Sequence, residues 1–111
     1  MATIPYQQVS APPGKVTVVV WRGLTAGDEG DPYIAGPHPL TVQMAGDFGG
    51  TVTLQGSLAK AGVWATLTAQ NGAPVSRGHP GIAMVAERPY LVRPVAGGGV
   101  KSVDVWLLTQ A

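Results

Sequence analysis

Hydrophobic and polar positions alternate along this chain in short runs, each bounded by glycine or proline. Residues 15–21, KVTVVVW, place four valines, a threonine and a tryptophan in seven positions, the β-branched and aromatic content of a strand. Near-continuous apolarity there predicts cover on both faces. Residues 40–44 alternate Leu40, Val42 and Met44 against Thr41 and Gln43, the period of two of a half-buried strand. Residues 51–55 repeat the pattern with Val52 and Leu54 inward, and AGDFGG between the two runs supplies a turn.

Further along, VWATLT offers Trp64 and Leu67, Asn71-Gly72 is a tight-turn pair, and residues 82–86 form another apolar run. Residues 90–95, the glycines at 97–99 and residues 102–109 read as a closing hairpin. No 12-residue segment has helical periodicity, and no repeat period is present. The prediction is an all-β chain of about seven to eight short strands. They would form a single antiparallel, jelly-roll-like β-sandwich, with a barrel as the alternative closure. Candidate core residues are Val18, Val20, Leu54, Trp64, Val85, Val92, Val105 and Leu107. Strict alternation would put Trp21 and Trp106 out of phase with the inward valines, on the opposite face.

Residues 1–14 carry Pro5, Pro12 and Pro13 with Gln7, Gln8 and Ser10, a composition that reads as an extended N-terminal arm ahead of a β-sandwich domain over residues 15–111. Ile4, Tyr6 and Val9 give that arm something to bury. It either crosses a neighbouring subunit, packs as an edge strand on its own domain, or frays. Residues 23–39 are rich in Gly and Pro and long for a connection. Tyr33 and Ile34 are the large apolar groups within that loop.

With 111 residues the chain can bury one core. Only 12% of its residues are charged, about half the usual quarter. Either part of the surface is interface, where charges are depleted, or it is covered by Thr, Gln, Ser and Gly. Formal charge is +1 with no basic run, which argues against nucleic acid. The absence of cysteine excludes disulfides and thiolate metal sites. The first residues lack a basic start and an uninterrupted apolar stretch, so neither a signal peptide nor a membrane anchor is expected, and the chain should fold where it is made.

Candidate chemistry is sparse, and neither an enzyme nor a cofactor is expected. His38 and His79 each neighbour a proline and fit no hydrolase or metal spacing. Asp28, Glu29 and Asp31 around Gly30 could offer oxygens to calcium, yet they lack the length and terminal glutamate of a calcium loop, so a solvated acidic loop is expected. Trp21, Trp64 and Trp106 could form an aromatic platform, with Trp64 and Trp106 also fitting core or edge packing. Arg93 is expected to pair with a carboxylate or carbonyl inside the sandwich, or else to meet a partner.

Residues 49–68, GGTVTLQGSLAKAGVWATLT, resemble the central hairpin of phage virion proteins with a strand, GS, short loop, W-x-x-L signature. The loop reads LAKAG where such proteins often have an Asp-Gly turn. Residues 88–108, RPYLVRPVAGGGVKSVDVWLL, resemble their closing hairpin. The resemblance is to bacteriophage capsid decoration, or cement, proteins with a jelly-roll or discoidin-like β-sandwich. It implies a major capsid protein as partner, a homotrimer on the capsid exterior, and a chain made in the host cytoplasm. Partner-binding candidates are Ile4, Tyr6, Val9, Trp21, Tyr33, Ile34 and Trp106. The competing function is a carbohydrate-binding module of a head or tail fibre, using Trp21 or Trp106 as a stacking platform.

Overall fold

A computed structural model of the chain describes residues 2–10, 16–36, 38–58 and 63–110. Pro12 and Pro13 of the expected arm, and residues 59–62 of the LAKAG loop, lie outside the described residues. Twelve strands follow in order: β1 Thr3–Ile4, β2 Tyr6–Ser10, β3 Val16–Leu24, β4 Glu29–Gly30, β5 Tyr33–Ile34, β6 Leu40–Asp47, β7 Val52–Ser57, β8 Ala65–Thr66, β9 Ser76–Arg77, β10 Gly81–Met84, β11 Leu91–Ala96 and β12 Ser102–Gln110. Five of these are two-residue strands, which accounts for the excess over the expected seven or eight. Fragments this short carry no period for a sequence to display.

The strands form a β-sandwich, as expected. One sheet has the order β1-β4-β11-β7-β8, with β5 also on β11 and β9 also on β7; the other runs β10-β6-β12-β3-β2. Pairing is antiparallel except that β1 runs parallel to β4. The expected closing hairpin is not one, because β11 lies in the seven-stranded sheet and β12 in the five-stranded sheet. The glycine-rich turn therefore carries the chain across the sandwich. The turn between β6 and β7 does the same.

The core lies between the sheets and contains Leu54, Val85, Val92, Val105 and Leu107, as predicted. Three expected members are elsewhere. In a run as apolar as VTVVVW either phase could face inward, and the choice is made by the neighbouring strand. Register sets Trp21 opposite Val105 and Val19 opposite Leu107, so Val19 and Trp21 enter the core. Val18 and Val20 instead share the opposite face with Leu108 and Trp106. Trp64 is half-buried, with its ring 4.1 Å from the Arg93 guanidinium carbon.

A register shift in the β3–β12 pair falls between Val103 and Val105, whose partners are Leu24 and Trp21. β3 thus spends one residue more than β12, which is a bulge. That extra residue lets Trp21 and Leu24 both reach the core, with Gly23 at φ 72 absorbing the left-handed turn. Asp104 on β12 closes the bulge by accepting the Gly23 N–H at 2.8 Å.

The N-terminal segment is extended but is built into its own domain. β1 pairs with β4, while β2 pairs with β3 from Tyr6 opposite Trp21 to Ser10 opposite Thr17. The first residues thus supply edge strands to both sheets. Residues 23–39 are likewise no free loop, because β4 and β5 within them pair with β11.

Trp21 ties these parts together. Its indole N–H donates to the Asp31 carbonyl at 3.0 Å, and Tyr6 meets it edge-on at 6.2 Å between ring centroids. Tyr6 also meets Tyr33 edge-on at 5.1 Å. Gly30 allows this packing, since a Cβ there would stand 2.7 Å from the indole nitrogen and 2.3 Å from Pro94 Cδ. Gly30→Ala should destabilise the fold by about 2 kcal/mol through overpacking, measured by urea unfolding. A cost within experimental error would show that Trp21 and Pro94 are not held as described.

Candidate functional site

Two faces of the sandwich look outward, and they differ in chemistry. On the seven-stranded sheet, Arg93 of β11 lies opposite Gln55 of β7 and binds its side-chain oxygen through Nε at 3.1 Å. Its Nη1 reaches Glu29 at 3.3 Å. With the Trp64 ring over the guanidinium, Arg93 meets its carboxylate inside the domain.

On the five-stranded sheet the outward positions are mostly apolar. β12 alternates buried Val103, Val105 and Leu107 with outward Trp106 and Leu108. Register aligns Trp106 with Val20 of β3 and Gln43 of β6, and Gln43 with Ile82 of β10. Leu108 aligns with Val18 and Thr41, and Val18 with Val9 of β2. Large apolar side chains therefore stand on β2, β3, β12 and β10 across the sheet, with Thr41 and Gln43 between them on β6. Val18, Ile82, Trp106 and Leu108, with Thr41 and Gln43, line a groove of about 280 Å³. Ile82, Met84 and Val9 on the edge strands are 62%, 55% and 46% exposed, Val18, Trp106 and Leu108 between them are half-buried, and Val20 is fully buried.

The expected partner-binding residues divide sharply on this geometry. Trp21 has 0% of its surface exposed, which overturns its expected outward orientation. Ile4 and Tyr33 pack partly buried against the core, and Tyr6 spends its ring on Trp21 and Tyr33. Ile34 is exposed but stands opposite Leu91 on the other sheet. Val9 and Trp106 remain, and both belong to the outer face of the five-stranded sheet.

Sequence reasoning missed Val18, Leu108, Ile82 and Met84. Leu108 was recoverable, because it shares the phase of Trp106 against three inward apolar residues. Ile82 and Met84 carry a misleading signal, since small Ala83 is the residue between them that packs on the core.

A second concavity of about 550 Å³ is lined by Leu58, Val63, Leu67 and Pro89, with Glu87 and Arg88. Glu87 is fixed by Thr68, whose backbone N–H and hydroxyl both donate to it. Desolvation pushes that carboxyl up, but the Thr68 donors outweigh it and hold the group below its ordinary value.

Asp28 of the acidic loop is a structural joint, which corrects its expected solvation, while Asp31 is exposed as expected. Asp28 is buried and accepts Thr25 N–H at 2.9 Å, the Thr25 hydroxyl at 2.8 Å and Ala2 N–H at 3.0 Å. The Thr25 backbone donor, then its hydroxyl, hold the carboxyl below the ordinary range against the opposing effect of burial. Among the described residues no three His, Cys, Asp or Glu side chains gather as a metal site. His79 is exposed, its Nδ1 3.1 Å from the Pro80 carbonyl.

Solved structures place this architecture among jelly-roll and cupin-like β-sandwiches. The SPBc2 prophage-derived protein YomS superposes with a TM-score of 0.65 at 12% identity, covering 92% of this chain and 100% of that one. The Schizosaccharomyces pombe Cnp3 cupin domain gives 0.56 at 11% identity, covering 96% of this chain and 59% of that one. KdgF from Halomonas gives 0.51 at 15% identity, covering 96% and 77%. Identities this low establish a shared fold. No family model matches the chain, and no curated protein matches it in sequence.

Asp28 provides a test of the joint by pH. A carboxyl held below its ordinary value stabilises the fold fully above about pH 4 and loses that contribution as pH falls through its folded value. Asp28→Asn should cost about 2 kcal/mol near neutrality and flatten the acid side of the stability profile. Wild-type and variant profiles that run parallel down to pH 2 would contradict this.

Proposed function

We propose that this chain is a phage virion structural protein, a capsid decoration or cement protein. In this reading it binds the outside of the head through the outer face of its five-stranded sheet. The observation that carries the reading is the apolar face on which Val9, Ile82 and Met84 are exposed and Val18, Trp106 and Leu108 are half-buried around Thr41 and Gln43. A large apolar patch on a small domain marks a binding surface. Trp106 at its centre is the kind of anchor that dominates interface energetics.

Size supports the same reading. Five strands about 4.8 Å apart, each with about seven residues in the sheet, cover on the order of 550 Å². That approaches the ~800 Å² per partner of a specific interface. The low charge of the chain fits a surface partly committed to a partner. The likeness to a prophage-derived protein over 92% of this chain and 100% of that one is consistent with a phage setting.

Binding without catalysis is part of the proposal. Of six acidic residues, Asp28, Glu29, Glu87 and Asp104 are engaged with Thr25, Arg93, Thr68 and Gly23. These carboxylates make contacts that hold the fold. A cement protein stabilises by binding assembled shell and not dissociated subunits, so it shifts assembly by mass action. A trimeric arrangement on the capsid exterior completes the proposal.

The carbohydrate reading keeps one platform, Trp106, since Trp21 is buried. Thr41 and Gln43 are the polar side chains lining its groove, among four apolar ones. A sugar site needs several converging polar groups, which favours a protein partner here.

Co-sedimentation with heads lacking the protein tests the proposal. Wild type should bind and protect the heads against heating, while Trp106→Ala and Ile82→Asp should each weaken binding about 30-fold or more and leave the isolated fold intact. Absence of wild-type binding, or equal binding by both variants, would overturn it. Glycan binding lost on Trp106→Ala would favour the carbohydrate module.

A further inference from the structure

Arg77 occupies an unusual place for a cation. It lies on β9 opposite Val52, whose side chain belongs to the core, so the register turns Arg77 toward the inner side of its sheet. From there it crosses to the five-stranded sheet and settles on Gly81 of β10. A Cβ at Gly81 would stand 2.1 Å from Nη2, 2.6 Å from Cζ and 2.8 Å from Nε of Arg77. Gly81 is not among the glycines with positive φ, so it serves no left-handed turn, and a Cβ there would displace the flexible end of Arg77. The guanidinium thus lies directly against the bare backbone of Gly81.

Among the described residues nothing answers that charge. Arg77 Nε is buried with no hydrogen-bond partner, and among the described residues Arg77 joins no ion pair. The other arginines are treated differently. Arg22 and Arg93 meet Asp104 and Glu29, and Arg88 is exposed to water. A half-buried cation without an acceptor costs the free protein stability, because desolvation is not repaid. Such a group is accounted for when the acceptor arrives with a ligand.

Its surroundings specify the ligand. Arg77 lines a groove of about 300 Å³ with Gln70, Asn71, Pro74, Ile82 and Met84. There is one charge, two amides and an apolar wall. A polyanion would need clustered cations, whereas a single planar fork suits a single carboxylate. Ile82 also lines the groove around Trp106, so this site is continuous with the apolar face. A carboxylate held here would sit at the margin of that interface.

We propose that Arg77, seated on Gly81, receives an aspartate or glutamate side chain of the capsid protein. This rests on the docking reading above and adds the charged contact that would orient it. An arginine at the border of an apolar patch fixes register and rejects partners lacking the acid.

The test uses the full chain with heads and alone. Arg77→Met should bind heads about 30-fold more weakly while the free variant unfolds at the same or a higher temperature, because an uncompensated charge has been removed. Gly81→Ala, which keeps the arginine but fills its seat, should weaken binding in the same direction. In wild type, sodium acetate against sodium chloride at equal ionic strength should shift the Gln70, Asn71 and Gly81 amide resonances saturably, and Arg77→Met should abolish the shift. Head binding by Arg77→Met at wild-type strength, with Ile82→Asp still defective, would overturn the Arg77 assignment and leave the docking face standing. A lowered unfolding temperature for Arg77→Met would make the residue structural, and absence of a saturable acetate response would also overturn the proposal. Failure of wild type to bind heads would remove the named partner together with the docking reading.

Discussion

The register between β3 and β12 decides which side of this protein is core and which is surface. β3 is apolar on both faces, so burial alone could have placed either set of its side chains inward, whereas β12 alternates and supplies the phase. Pairing Trp21 with Val105 and Val19 with Leu107 puts the indole under both sheets. The same pairing sends Val18, Val20, Trp106 and Leu108 outward together. A slip of one residue would exchange the two sets along a strand. The bulge near Gly23 and the Asp104 bond to its N–H help pin the register.

Once Trp21 is inside, the N-terminal residues and the Gly-Pro-rich stretch acquire structural work. Tyr6, Tyr33 and the Asp31 carbonyl surround the indole, and Asp28 ties Ala2 to Thr25. Segments that look like mobile appendages are thereby consumed in closing one end of the sandwich. Six of the charged side chains, Arg22, Asp28, Glu29, Glu87, Arg93 and Asp104, are committed to partners within the domain. One sheet face turns its arginine inward to Glu29, Gln55 and Trp64, and the other presents hydrocarbon. That asymmetry is what distinguishes a docking face from an ordinary outer surface.

Much of the architecture was legible in the amino-acid pattern. The long strands announce themselves through valine-rich or alternating runs, and the absence of helical periodicity excludes other classes. The direction of Trp106 also followed, because β12 alternates cleanly over its length. The phase of β3 did not follow, since the one polar residue of VTVVVW, Thr17, lies in the same phase as the inward Val19 and Trp21 and so marks the wrong face. Sheet membership was hidden as well: the turn over residues 97–101 reads as a hairpin, and only the distant pairings of β11 with β7 and β12 with β6 show that it crosses between sheets. Arg77 gave no local signal, because its seat on Gly81 depends on the meeting of two sheets.

As proposed, the outer face of the five-stranded sheet docks against the capsid. A reconstruction of decorated heads by electron cryo-microscopy, at a resolution that orients strands, tests it most directly. The expected result is β10, β6, β12, β3 and β2 turned toward the shell, with Trp106 and Ile82 beneath the interface. That sheet facing solvent, with the seven-stranded sheet against the shell, would contradict it.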